Sequence, residues 1–101
     1  PATARFNFTP PKTGEYDVRI AWQPHENRSP NALVIVEGAK SGTPEQRVNQ
    51  QEMPPIEKGF SSLGTYSFEG ADPASITLSN DGAKGNIHAD AIQLLPIEPA
   101  E

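Results

Sequence analysis

Apolar residues recur at every second position along most of this chain, which is the period of half-buried strands. Ala4, Phe6 and Phe8 share one face of a first strand, with Thr3, Arg5 and Asn7 on the other. Pro10–Pro11 end it, because proline has no N–H to give to a ladder. After the turn Lys12-Thr13-Gly14, Tyr16, Val18, Ile20 and Trp22 alternate with Glu15, Asp17, Arg19 and Ala21, the clearest strand in the protein. A polar loop bounded by Pro24 and Pro30 follows. Asn31 to Val36 is a nearly unbroken apolar run, read as a central strand buried on both sides. Glu37 to Glu45 reads as a turn-rich connection, Gln46 to Gln51 as a polar edge strand, and Met53-Pro54-Pro55 as a loop. Phe60 to Phe68 is a long strand with Tyr66 and Phe68 on one face. Ile76 and Leu78 mark a short strand ended by the turn signal Ser79-Asn80-Asp81-Gly82. Ile87 to Leu95 is the last strand, closed by Pro96.

No segment sustains a helical period, and no internal repeat is present. About seven strands separated by regular turn signals predict an all-β, antiparallel β-sandwich. One domain is expected over residues 1–96, with 97–101 a linker or tail stub. The start at Pro1 without a methionine points to a domain excised from a longer protein, its targeting signal lying elsewhere.

Charge and composition narrow the chemistry. Eight Lys and Arg against 13 Asp and Glu leave a net charge of −5, with no basic stripe for a phosphate backbone or an anionic lipid surface. Nucleic acid and membrane are therefore not expected partners. The chain has no cysteine, which removes disulfides, thiolate catalysis and zinc–sulfur sites.

Three stretches carry a family resemblance: Pro11-Lys-Thr-Gly-Glu-Tyr-Asp-Val18, Glu26-Asn-Arg-Ser-Pro-Asn-Ala32 and Gly85-Asn-Ile-His-Ala-Asp-Ala-Ile92. Val48-Asn49-Gln50 and Leu63-Gly-Thr-Tyr-Ser-Phe68 lie between them. Together they resemble the C-terminal domain shared by golvesin-type proteins and xanthan lyase, also found appended to bacterial FAD-dependent oxidoreductases. The resemblance runs from about residue 3 to residue 95. It implies a jelly-roll-like sandwich similar to galactose-binding modules, a carbohydrate-binding-like role, and an extracellular or periplasmic setting. An upstream strand region carried by family members has no counterpart before Ala4.

Candidate sites can be weighed residue by residue. His25 and His88 are the two side chains that titrate near neutral pH. His88 and Asp90, two apart on a strand, would share a face and could serve as an acid–base pair or metal ligands. No G-x-S-x-G motif and no third histidine complete a catalytic set, so no enzyme activity is expected. Asp90 shares the parity of Ile92 and Leu94, which would bury it, and a buried carboxylate needs a partner. Arg28 is the expected one, as a structural Arg28–Asp90 pair. The family resemblance offers a rival role for Asp90, as ligand to a structural calcium; otherwise no cofactor is expected. Trp22 could stack on a sugar, although its parity with Tyr16, Val18 and Ile20 favours the core. Tyr66 has the same ambiguity. His25, Asn27, Asn49, Gln51, Asn80, Asp81, Asn86 and His88 supply hydrogen-bonding groups suited to sugar hydroxyls, while Asn and Asp are also ordinary turn formers. The sequons at Asn7 and Asn27 read as chance.

The expected function is a monomeric, non-catalytic module that holds a neighbouring enzyme near polysaccharide. The alternative is a structural domain packed on its parent enzyme's other domains without binding sugar. A metal-dependent enzyme built on His88 and Asp90 stands third.

Overall fold

In the computed structural model, which describes residues 3–24, 26–56, 59–83, 85, 87 and 89–97, the alternating pattern becomes eight strands. They are β1 (Thr3–Phe8), β2 (Gly14–Ala21), β3 (Ala32–Glu37), β4 (Ala39–Ser41), β5 (Glu45–Val48), β6 (Phe60–Phe68), β7 (Ala74–Ser79) and β8 (Ala91–Pro96). The odd-numbered strands form one sheet in the order β1-β7-β3-β5, and the even-numbered strands form the other in the order β4-β6-β2-β8. Every ladder is antiparallel. Each connection therefore crosses from one sheet to the other, and no two consecutive strands are hydrogen-bonded neighbours.

The core lies between the sheets. Val18 and Ile20 of β2 and Tyr66 and Phe68 of β6 meet Val34, Ile76 and Leu78 from the facing sheet, all buried. Side chains of this size contribute roughly 1.5–3 kcal/mol each when fully buried, so this layer dominates the stability of the fold. Aromatic edges close it further: Phe8 and Tyr16 both meet the Phe68 ring edge-on, at centroid distances of 5.5 and 5.9 Å.

The expected all-β antiparallel sandwich is the fold observed, with eight strands where about seven were expected. The additional strand is β4, inside the segment read as a turn-rich connection; at three residues it is too short to show a period. The apolar run in β3 is buried on one face only. Its outer residues Leu33 and Ile35 are half-buried, each opposite polar partners: Arg47 and Ser79 for Leu33, Glu45 and Thr77 for Ile35. β8 starts at Ala91, later than the expected Ile87, and Ile92 and Leu94 do turn to the core, opposite Ile20 and Val18.

The two ends of the sandwich differ in loop length. Short connections fill one end: Thr9–Thr13, Gly38 and Glu69–Pro73, while Gly42–Pro44 wraps the side. The other end carries the β2–β3 connection (Trp22–Asn31), the β5–β6 connection (Asn49–Gly59) and the β7–β8 connection (Asn80–Asp90), of ten, eleven and eleven residues.

Candidate functional site

Apart from Tyr66, which lies buried in β6, the binding candidates read from the sequence come from these three long loops. Those within the described residues are Trp22 and Asn27 from the first, Asn49 and Gln51 from the second, and Asn80, Asp81 and Asp90 from the third. His25, Asn86 and His88 lie outside the described residues. Strand order brings the loops together: β2 ends where β6 and β8 begin, at Ala21, Phe60 and Ala91, and β3 begins where β5 and β7 end.

Buried polar groups knit this end. Ser29 and Gln50 are fully buried, and the Gln50 amide donates to the Ser29 carbonyl at 2.8 Å. The Gln51 side-chain amide donates to the carbonyls of Glu26 and Arg28 at 3.0 and 3.1 Å. Gly85 of the third loop presses on the same place. With φ of 79°, it leaves no room for a side chain, since a Cβ there would stand 2.9 Å from the Arg28 carbonyl oxygen. The Arg47 guanidinium donates to the carbonyls of Asn31 and Asp81 at 3.1 and 2.9 Å, tying the first and third loops to β5.

Several candidates thus serve the scaffold. The Gln51 side-chain amide is taken up by backbone carbonyls of the first loop, although the residue is exposed. Asn49 accepts from the Gln51 amide at 3.0 Å and donates to Glu52 at 3.2 Å, a turn-forming role. The Asn80 carbonyl accepts from the Ala83 amide at 2.9 Å, and the Asp81 amide donates to Ser79 Oγ at 3.0 Å, so both shape the turn after β7. Asn27 is exposed, its Oδ1 at the outer hydrogen-bond limit, 3.5 Å, from Arg28.

Trp22 is buried to 4% exposure and joins the core, as its parity suggests. Its indole N–H donates to the Glu52 carbonyl at 3.0 Å, anchoring the second loop across the first. Its small exposed remainder lines two clefts.

The Arg28–Asp90 pair does not form in the way its parity implies. Asp90 lies one residue before β8, outside the regular alternation, and is exposed. Its amide donates to the Ala21 carbonyl at 2.8 Å. The Arg28 guanidinium instead reaches the Gln23 carbonyl at 3.4 Å. Ion pairs among the described residues are Arg19–Asp17 and Lys40–Glu69. No group of three or more His, Asp or Glu side chains that could hold a metal ion converges among the described residues.

Two adjoining clefts open on this end. The larger, of about 600 Å³, is lined by Ala21, Trp22, Gln23, Met53, Phe60, Asp90 and their neighbours. The smaller, of about 240 Å³, shares Trp22 and Met53 and adds Gln46, Asn49, Glu52 and Ser61. Met53, which lines both, is 74% exposed. The larger cleft exists because Ala21 and Ala91, side by side in the second sheet, leave a hollow beside the bulkier Phe60.

Met53, Phe60 and Gln23 are absent from the sequence-read candidates. Phe60 shares its numerical parity with Tyr66 and Phe68, so unbroken alternation would carry it to their face. A β-bulge at Leu63 breaks that count: Val18 pairs with Gly64 but Arg19 with Ser62. Phe60 therefore falls opposite Ala21, on the cleft side. The signal for Met53 is its own oddity, a large apolar residue outside any alternating run and next to two prolines.

Comparison with known proteins follows the same lines. The chain is 32% identical over 100 residues to a xanthan lyase of Bacillus sp. (strain GL1), matching 94% of this chain and 10% of that protein. The structure of a Paenibacillus xanthan lyase contains a matching region with a TM-score of 0.77 and 33% identity, covering 93% of this chain and 9% of that one. The chain thus spans about a tenth of the length of these relatives. Residues 1–96 match the golvesin C-terminal domain, and the chain belongs to that family.

Proposed function

We propose that this domain is a non-catalytic accessory module of a larger secreted protein, extracellular or periplasmic, and that it binds polysaccharide at its long-loop end. The observation that carries the reading is the paired cleft around Met53, part apolar and part polar, at the end where three long loops are locked together. Small-ligand sites combine an apolar lining with a few placed polar groups, and the larger cleft falls inside their usual range of roughly 300–1,000 Å³. The relatives named as xanthan lyases act on a polysaccharide, which supplies the ligand class. A shallow site of this kind binds weakly, and tethering to the rest of the polypeptide raises its effective concentration on the polymer. A glycan array spanning plant, algal and bacterial polysaccharides tests it: retention on at least one class supports the reading, and uniform silence overturns it.

A second reading, docking against the parent's other domains, is favoured by a different surface. Of the strands at the sheet edges, β1 carries Arg5, β4 carries Lys40, and β5 carries Glu45 and Arg47. β8 carries no charge, and Ala91 to Leu95 are half-buried on both faces. Edges exposed in solution are usually protected by charge. Pro11, Tyr16, Pro96 and the exposed Ile97 also line a cleft of about 560 Å³ at the far end of this strand. Hydrogen exchange of β8 in the chain alone and in the full-length protein tests it, with added protection in the latter as the supporting result.

A further inference from the structure

We infer that the outer face of the first sheet carries a second ligand site, distinct from the loop-end clefts and beyond the reading given above, which takes a single polyhydroxylated unit of sugar size. A cleft of about 500 Å³ opens where β1, β3 and β7 meet the short turns, inside the usual range of roughly 300–1,000 Å³ for a ligand site. Ser75 lies at its floor. The neighbouring Ala74 and Ile76 join the core, so alternation turns the Ser75 side chain to the opposite face, where it lines the cleft. Ser75 is nevertheless 2% exposed, and its hydroxyl makes no hydrogen bond among the described residues. A buried hydroxyl without a partner is costly, and a ligand entering the cleft satisfies it.

The strand register builds the rest. Asn7 of β1 and Glu37 of β3 stand directly opposite Ser75, one on either side. Adjacent strands are about 4.8 Å apart, so amide, hydroxyl and carboxylate form a row about 10 Å across. Arg5 Nε donates to Asn7 Oδ1 at 3.2 Å, which engages the amide oxygen and leaves the Asn7 side-chain N–H groups to donate. The row thus offers donors at Asn7, a group of either kind at Ser75 and acceptors at Glu37. Each sugar hydroxyl both donates and accepts, so hydroxyls around one unit can meet all three. Arg5 and Glu37 line the cleft with one charge of each sign, and the matching of donors and acceptors, not net charge, defines the ligand. Thr9, Gly38 and Pro73, from the turns where these strands end, line the same cleft. The sheet stops there, so the site suits a unit that is free or at a chain end, and not a stretch running through a polymer.

The test is amide chemical-shift titration of the 101-residue chain with the methyl glycosides of glucose, galactose, mannose and xylose, and with myo-inositol. At least one of them should give saturable shifts at residues 5–9, 37–38 and 74–77, while a long polymer, which offers few chain ends, leaves those shifts small. Ser75→Ala should weaken this binding about five- to tenfold without a fall in Tm, because it removes a hydroxyl that no described residue engages. Glu37→Gln, at an exposed position, should weaken it about tenfold, again with Tm unchanged. Shifts confined to the three long loops would overturn the second site and uphold the function proposed above. Affinity unchanged in both variants overturns it, and so does silence toward every one of these probes; in both cases the glycan array still decides the loop-end reading.

Discussion

The two ends of the sandwich are built from the same strands yet solve different problems. At the short-turn end, connections of one to five residues hold aromatic side chains in apolar contact, with polar ties both within a turn and between neighbouring turns. There Tyr16 donates its hydroxyl to the Lys12 carbonyl at 2.6 Å, and the Gly70 amide donates to Thr13 at 2.9 Å. At the long-loop end, polar groups bridge three long segments far apart in sequence, among them the buried Ser29 and Gln50 and the exposed Gln51 side-chain amide. Short turns leave nothing to vary. Long loops pinned by polar ties leave clefts, and loops held by a rigid scaffold are where binding residues concentrate.

The largest effect that separates the two regions is expected from Gly42→Ala, on the side wrapped by the short β4–β5 connection. Gly42 has φ of 122°, and a Cβ there would lie 2.2 Å from the Tyr66 ring. Strain and overpacking together should cost about 3 kcal/mol or more, read as a large drop in Tm. Because the core itself is disturbed, both ends should loosen in hydrogen exchange.

Gln50→Ala should come next, at about 2 kcal/mol, from a fully buried side chain and the polar groups around it. Here the loss is local. Hydrogen exchange should quicken in the three long loops and leave the Tyr16–Phe68 contact protected, and glycan binding should fall further than stability.

Tyr66→Phe sharpens the contrast through pH. The Tyr66 hydroxyl donates to the Thr43 carbonyl at 2.7 Å and accepts from Gln46 at 2.9 Å. Gln46 also reaches the Leu63 carbonyl at 2.8 Å, next to the bulge. Burial holds the Tyr66 phenol above its ordinary range, partly offset by the Gln46 hydrogen bond. A folded-state pKa raised above the unfolded value means full stability below the unfolded pKa and loss as pH climbs through the folded one. Tyr66→Phe should cost about 1 kcal/mol at neutral pH and remove that part of the alkaline decline above about pH 10.

The smallest effect is expected from Lys40→Ala. The Lys40 ammonium, first by hydrogen bond and then by charge, holds the Glu69 carboxyl below its ordinary range. A depressed carboxylate contributes above its unfolded pKa, and the contribution disappears as pH falls through the folded value. Lys40→Ala should therefore flatten the acid limb of the stability profile and barely move neutral Tm, because the pair is exposed.

Much of the architecture was legible because strands alternate visibly. β2, β6 and the faces of β1 and β8 follow from parity, and Pro10 and Gly82 mark real turns. Parity fails wherever the ladder is irregular. It cannot register the bulge at Leu63, which turns Phe60 away from the face of Tyr66 and Phe68, and it buries Asp90 because it extends β8 beyond its first paired residue. The site was legible only in outline. Asn, Asp and Gln positions in three loops do gather at one end, but the sequence does not distinguish side chains that tie loops, such as Gln51, from those facing a cleft. The resemblance motifs around Arg28, Gln50 and Gly85 mark that tie. Met53 carries no periodic signal, because its role comes from where the loops leave it.

The most direct test of the loop end as the binding end is amide chemical-shift mapping on the 101-residue chain, titrated with whichever glycan an array retains. The shifts should concentrate in Trp22–Asn31, Asn49–Gly59 and Asn80–Asp90, with the Met53 methyl among the largest. Shifts gathered instead around Pro11, Tyr16 and Ile97, or spread evenly over both ends, would contradict the account.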